Sequence, residues 1–278
     1  MFILFLFFFG LAAGSFLNVV IHRLQTGEPI IIERSHCPKC RNILRWFDLV
    51  PLFSFFQLGG KCRYCGKKIS VQYPLVELAT ALLFVWVFIW QYPQFSQFKL
   101  DLSAPYLLDL HFFSFLYYLI IISILIVIFV YDLKHYLILN KVIYPAIVLA
   151  LAYNTFMSIE QKGFSPEAVA LMVNGWLAAL LASGFFLALV LASRGKWMGI
   201  GDIKLAFFMG FVLGWPQILA ALFLAFLSGA AVGIVLIILK KKGLKSELPF
   251  GPFLAGATIL VLFYSHILTD WFFGFMMC

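Results

Sequence analysis

Charge is what this sequence has least of: 12% of its 278 residues are charged, against 64% that are hydrophobic, and the mean hydropathy is +1.02. That balance lies far from the make-up of a soluble domain and identifies an integral membrane protein. A basic n-region is also missing from the opening "MFILFLFFFG", and His22 and Arg23 follow the apolar run instead of preceding it. The first segment is therefore expected to stay as a helix with its N-terminus outside, not to be cleaved as a signal peptide. Long low-complexity linkers are absent too, which leaves residues 22–74 as the single soluble module.

What is abundant is apolar length. Crossing a hydrocarbon core takes roughly 17–25 apolar residues in a helix. Eight candidate spans lie near 1–20, 75–92, 107–131, 141–158, 167–193, 203–216, 217–239 and 250–272. The sixth is short and only Trp215-Pro216 separates it from the seventh, so seven spans is the alternative count. Eight spans place the loops 21–74, 132–140, 194–202 and 240–249 on one side. Eighteen of the 20 Lys and Arg fall in or beside those loops, and only Lys99 and Lys162 on the other face. The positive-inside rule makes the first face cytoplasmic. The net charge of +8 is then mostly topology, with membrane lipid rather than nucleic acid as the partner, and "KKKG" at 240–243 reads as a helix-end anchor on anionic headgroups. Glycine pairs at Gly10/Gly14, Gly210/Gly214 and Gly229/Gly233 suggest close helix packing.

The module carries "CPKC" and "CRYCG", with Cys37 and Cys40 separated from Cys62 and Cys65 by 21 residues. Two such knuckles suit a tetrahedral Zn²⁺ site; the competing readings are two disulfides or a redox dithiol. A cytoplasmic location argues against stable disulfides, and a thioredoxin-like site needs one CxxC in a βαβ setting. Four thiolates close the coordination shell, so the metal is expected to be structural, with Lys39, Arg41, Lys61, Arg63 and Lys67 offsetting its anionic charge. Cys278 is left without a partner. The fold expected is thus an all-α polytopic membrane protein with a small cytoplasmic zinc-ribbon-like module, divided as helix 1–21, module 22–74 and membrane domain 75–278.

Asp132 ends the third span and Asp202 precedes the sixth, two crossings later, so both carboxylates return to the cytoplasmic face and can meet. Two carboxylates a few ångströms apart share a proton, which supplies one acid and one base around a water, as peptide hydrolysis without a covalent intermediate requires. Gly199 and Gly201 would let the backbone turn tightly and approach a substrate strand. The other reading is that each Asp caps a helix or solvates a loop. Lys134 and Lys204 read as interface anchors.

The same residues resemble a known family. "GIGD" is similar to the GxGD signature of membrane aspartic proteases. The series "GSFLNVVIHRL" at 14, residues 33–78 with the cysteine pairs, "YDLKHYLILN", "GIGDIKL" and "LPFGPFLAGA" resembles prepilin peptidases, the leader peptidase/N-methyltransferases of type IV pilus and type II secretion systems. The resemblance implies that Asp132 and Asp202 are the catalytic pair, with Gly199 and Gly201 in the second aspartate's loop. It further implies cleavage of the short basic leader of pilin-like precursors at the cytoplasmic face of the inner membrane, then methylation of the new N-terminus from S-adenosylmethionine. Two positions depart from the family pattern: Leu139 stands where a proline is common, and Ala81 follows Thr80 where glycine is common. No Gly-rich βα fingerprint for S-adenosylmethionine is present, so its binding residues are unknown at this level. Arg23 reads as a snorkelling anchor, Asn18 as an interhelical hydrogen bonder, and Trp46 and Asp48 as core packing plus a turn cap. The rival classes are a proton-coupled transporter, which predicts acidic groups near midplane, and a non-catalytic zinc-ribbon scaffold.

Overall fold

The computed structural model describes residues 1–30, 33–92, 110–163, 165–196, 198–240 and 248–276. Cys278, Lys99, Lys241, Lys242 and Lys245 lie outside the described residues, as does the side chain of Lys162. The described chain is helical: α1 Phe2–Thr26, α2 Phe53–Gln57, α3 Gln72–Gln91, α4 Leu110–His135, α5 Asn140–Lys162, α6 Pro166–Ser193, α7 Ile200–Leu213, α8 Gln217–Ile238 and α9 Gly251–Met276. Among the described residues no strand forms, only the isolated bridges His36–Ile43 and Lys61–Lys68. All but α2 fall on the eight apolar stretches of the sequence.

Six helices, α1, α3, α4, α5, α6 and α8, are long and apolar enough to cross a membrane. The other two differ from full spans for visible reasons. Helix α7 has 14 residues, about 21 Å of rise against a core of about 30 Å. It stops at Gly214, in the left-handed region at φ 71, where Asn174 exchanges hydrogen bonds with both the N–H and the carbonyl of Trp215. Helix α9 loses helical geometry at Tyr264, so its first apolar stretch ends at Ser265.

The chain forms two compact units, Met1–Val127 and Ile128–Cys278. In the first, α1 and α3 run antiparallel in a tight register. A Cβ on Gly10 would sit 2.6 Å from the Ala81 Cα, and one on Gly14 would sit 2.7 Å from the Glu77 Cα. One step further, Asn18 Nδ2 donates to the Tyr73 carbonyl at 3.0 Å, so this residue does bond across helices. Arg23 does not snorkel. It is buried, and its guanidinium donates to the carbonyls of Pro29, Ile30 and Glu33, folding the chain after Gly27 back on the helix end.

In the second unit, α7 is enclosed by α5, α6 and α9, and Leu205, Ala206, Phe208 and Met209 are fully buried. Gly210 lets α7 cross α6 directly against the backbone of Ala178 and Ala179. The glycine pairs therefore divide. Gly10, Gly14 and Gly210 serve close crossings, Gly214 is a helix terminator, and Gly229 and Gly233 meet only side chains at ordinary distances.

Candidate active site and cysteine centre

Asp132 lies three residues from the end of α4, the end of a helix whose dipole disfavours an anion. It is buried, 5% exposed, and finds its compensation elsewhere: Oδ2 accepts the Gly251 N–H at 3.0 Å, at the N-terminus of α9. Gly251 is the residue that sequence reading missed. A Cβ there would stand 2.6 Å from Asp132 Oδ2 and 3.0 Å from its Cγ, so the carboxylate reaches this helix end only because the side chain is absent. Nothing local in "PFGP" at 249–252 says which acid would cap the helix that begins there.

Asp202 is the third residue of α7 and half-buried. Its Oδ2 accepts the N–H of the capping residue Gly199 at 3.3 Å, so the helix-cap reading holds for this carboxylate as well. Both aspartates are thus seated at helix N-termini, and the charge of Asp132 acts on Asp202. Among the described residues neither second oxygen, Oδ1, takes a hydrogen bond. Both acids sit within a turn of a helix end, not at mid-helix as a proton relay across the membrane would place them.

The strap between α4 and α5 joins the two ends. Tyr136 N–H closes onto the Asp132 carbonyl, and buried Ile138 lies 3.1 Å from where a Gly201 Cβ would stand. The glycines beside Asp202 thus act differently from the tight turn expected of them. Gly199 is extended at φ −84 and Gly201 is helical, and neither adopts a left-handed conformation. Gly201 makes room for Ile138; among the described residues, a Cβ on Gly199 would meet nothing nearer than 3.8 Å. Lys204 is likewise not a free anchor: Nζ donates to Asn140 Oδ1 at 2.7 Å and lies 4.9 Å from the Tyr144 ring, pinning α7 to the start of α5.

Leu139 has φ −73, the angle a proline ring imposes. Its N–H makes no hydrogen bond among the described residues, and its carbonyl accepts the N–H groups of Val142 and Ile143. The backbone at 139 therefore already holds the angle that a ring would fix. Leu139→Pro is expected to stabilise the protein by about 0.4–1 kcal/mol, read as a raised thermal midpoint in detergent.

The four cysteines converge, with Cys37, Cys40, Cys62 and Cys65 sulfurs all within 4.8 Å of one another. A tetrahedron with Zn–S bonds of about 2.3 Å has edges of about 3.8 Å, so a small contraction suffices for the metal to fit. The two knuckles repeat one design. Cys37 N–H bonds to the Asn42 carbonyl and Arg41 N–H to Cys37; Cys62 N–H bonds to Lys67 and Gly66 N–H to Cys62. Burial raises the Cys37 thiol, but the N–H groups of Cys40 and Lys39 and the thiols of Cys62 and Cys40 outweigh it and bring it down to about 7. In the same cluster Cys40 is pushed up to about 11 in spite of the Asn42 N–H, and burial raises Cys62, so a metal would have to displace the remaining protons to gain four thiolates.

The repeat has one flaw: Arg41, at φ 57, occupies the left-handed position that Gly66 fills at φ 67 in the other knuckle. Arg41→Gly is expected to raise stability by about 1 kcal/mol, measured as a shift in thermal midpoint, because an L residue there is strained.

Asp48 ties the module's middle to the second knuckle. It accepts from Arg63 Nε at 2.8 Å, from the Tyr64 hydroxyl at 3.0 Å and from the Arg45 N–H at 3.1 Å. Burial would raise its carboxyl, yet these donors hold it below the usual carboxylate value. The turn-cap reading of Asp48 stands; Trp46 is 79% exposed and is not core.

The chain matches the Bacterial Peptidase A24 N-terminal domain over residues 8–92 and the Type IV leader peptidase family over residues 119–234. No solved structure matches it. Among curated proteins, the prepilin leader peptidase/N-methyltransferase of Bacillus subtilis is 33% identical over 270 residues, covering 96% of each chain. Proteins of the same name from Aeromonas salmonicida and Pseudomonas aeruginosa are each 31% identical, covering 96% and 94% of this chain and 92% and 89% of theirs. With relatives of this likeness aligned along nearly its whole length, the chain belongs to the prepilin leader peptidase/N-methyltransferase family of membrane aspartic proteases.

Proposed function

We propose that Asp132 and Asp202 are the catalytic pair of a membrane endopeptidase that removes the leader of type IV pilin-like precursors. The observation that carries this reading is the matched seating of the two carboxylates. In each, Oδ2 is fixed by a helix N-terminal N–H while Oδ1 makes no bond among the described residues. One such oxygen takes a proton from water as the water attacks the scissile carbonyl, and the partner carboxyl donates a proton to the departing amine. Among the described residues, the space beside Gly199 gives an extended substrate segment access to Asp202. The precursor's apolar stem lies in the bilayer and brings the leader junction to the helix ends where the acids sit.

The Lys and Arg distribution supports an inner-membrane orientation with the N-terminus outside and the aspartates and cysteine module cytoplasmic. Methylation of the new N-terminal amine follows from S-adenosylmethionine, which supplies the electrophilic methyl group when bound. No residue of this chain is assigned to hold it. The reaction needs alignment of amine and donor more than an acid or base.

Incubating the purified protein with a pilin-like precursor and labelled S-adenosylmethionine tests both halves. A shortened, labelled product supports the reading, and an intact precursor overturns it. Zn²⁺ is the structural ion held by the four cysteines. Elemental analysis is expected to find one zinc per chain, lost in Cys62→Ser together with thermal stability. Full stability in a zinc-free preparation would sink the assignment.

A further inference from the structure

The cysteine module carries an apolar segment that water should not tolerate. Within eleven residues it exposes Trp46 at 79%, Leu49 at 37%, Phe53 at 62% and Phe56 at 72%. Phe53 and Phe56 stand three apart on α2, hence on one face of it, and α2 packs against the short 3-10 helix Trp46–Asp48. Apolar exposure concentrated on one short segment in this way marks a contact surface.

Its depth identifies the contact. Leu52, the residue before α2, donates its N–H to Glu77 Oε2 at 2.8 Å. Glu77 belongs to the second turn of α3, and helical side chains lean toward their own N-terminus, so Leu52 sits about one turn, about 5 Å, inside the start of that helix. At this level α3 exposes Leu75 at 60% and Leu78 at 37%, the side chains that meet lipid. The start of α2 therefore lies alongside the first turns of α3, a helix long and apolar enough to cross a membrane.

The flanking charges fit the same location. Arg45 caps the 3-10 helix and is exposed, and exposed Lys61 follows α2 with its N–H on the Leu58 carbonyl. Asp48, the acid between them, is 3% exposed and paired with Arg63, so the surface around the patch is cationic.

We propose that residues 46–56 form an interfacial anchor that lies in the protein's own bilayer, with Trp46, Phe53 and Phe56 among the upper acyl chains and Arg45 and Lys61 at anionic headgroups. A short apolar helix lying flat, with an aromatic belt and flanking cations, is the physical form of such an anchor. It would hold the cysteine module down at a fixed height on the membrane.

The test uses the full-length protein in nanodiscs of phosphatidylcholine and phosphatidylglycerol whose acyl chains are brominated at shallow or deep positions. The emission difference between the wild type and Trp46→Phe isolates Trp46. Shallow bromines are expected to quench it more than deep ones, and Phe53→Ser with Phe56→Ser is expected to relieve the quenching. A second probe, Phe56→Trp in the Trp46→Phe background, reads the same depth from α2 itself. Two residues open to aqueous acrylamide and untouched by bromine would overturn the proposal. So would shielding that appears only after a precursor is added, because the face would then belong to a protein partner. Neither readout depends on cleavage or methylation.

Discussion

Asp132→Asn and Asp202→Asn are each expected to lower leader cleavage by about two to four orders of magnitude, the range of a lost general acid or base. Both substitutions spare the architecture. An Asn oxygen still accepts the Gly251 or Gly199 N–H, so helix seating is kept while the exchangeable proton is lost. Thermal midpoints close to wild type would separate lost chemistry from lost fold. Because the pair acts as one device on one water, the double variant is expected to be no slower than either single one. Methylation of an already cleaved precursor by both variants is the expected result if the two chemistries use separate sites. Undiminished cleavage in either variant would remove that aspartate from the mechanism.

Gly251→Ala is expected to cost about a hundredfold in cleavage, although Gly251 supplies no reacting side chain. The added methyl would stand 2.6 Å from Asp132 Oδ2 and 3.0 Å from its Cγ, so the carboxylate or the start of α9 must shift. A misplacement of about 1 Å is enough for a loss of that size. Alanine is a better helix former than glycine, so a weaker helix cannot be the cause. Gly256→Ala is the matched control. It lies in the same helix, but its added methyl meets only the Phe129 ring at 3.9 Å, and its cleavage rate is expected to stay near wild type. Equal losses in the two variants would mean that α9 tolerates no change at all, and would remove the argument for Asp132.

Much of the site could be read before any coordinates, for physical reasons that differ by residue. The cysteines announce themselves because a tetrahedral metal needs two close pairs, and the CxxC spacing records that need locally. The aspartates stand out because carboxylates are rare in an apolar chain, and counting crossings puts them on one face. The tight turn that clustered glycines suggest is absent at Gly199 and Gly201. Sequence suggests a turn wherever glycines cluster, whereas the backbone angles here are extended and helical. Lys204 looked like a lipid anchor because its partners, Asn140 and Tyr144, lie some sixty residues away.

Hydrophobicity, positive charge in alternate loops and the cysteine pairs are properties of local stretches. By itself, therefore, the sequence determined a polytopic helical membrane protein and its family, and it singled out the four cysteines and the two aspartates. Tertiary structure decided which backbone N–H receives each carboxylate, that Gly251 admits Asp132 to the end of α9, and that Ile138 lies on Gly201. It also decided that the Leu52 N–H, at the start of α2, meets the Glu77 carboxylate of α3. Those contacts join residues up to 119 positions apart. A glycine or leucine in the sequence carries no mark of the distant group it will meet, because that meeting is set by how helices pack and not by any local preference.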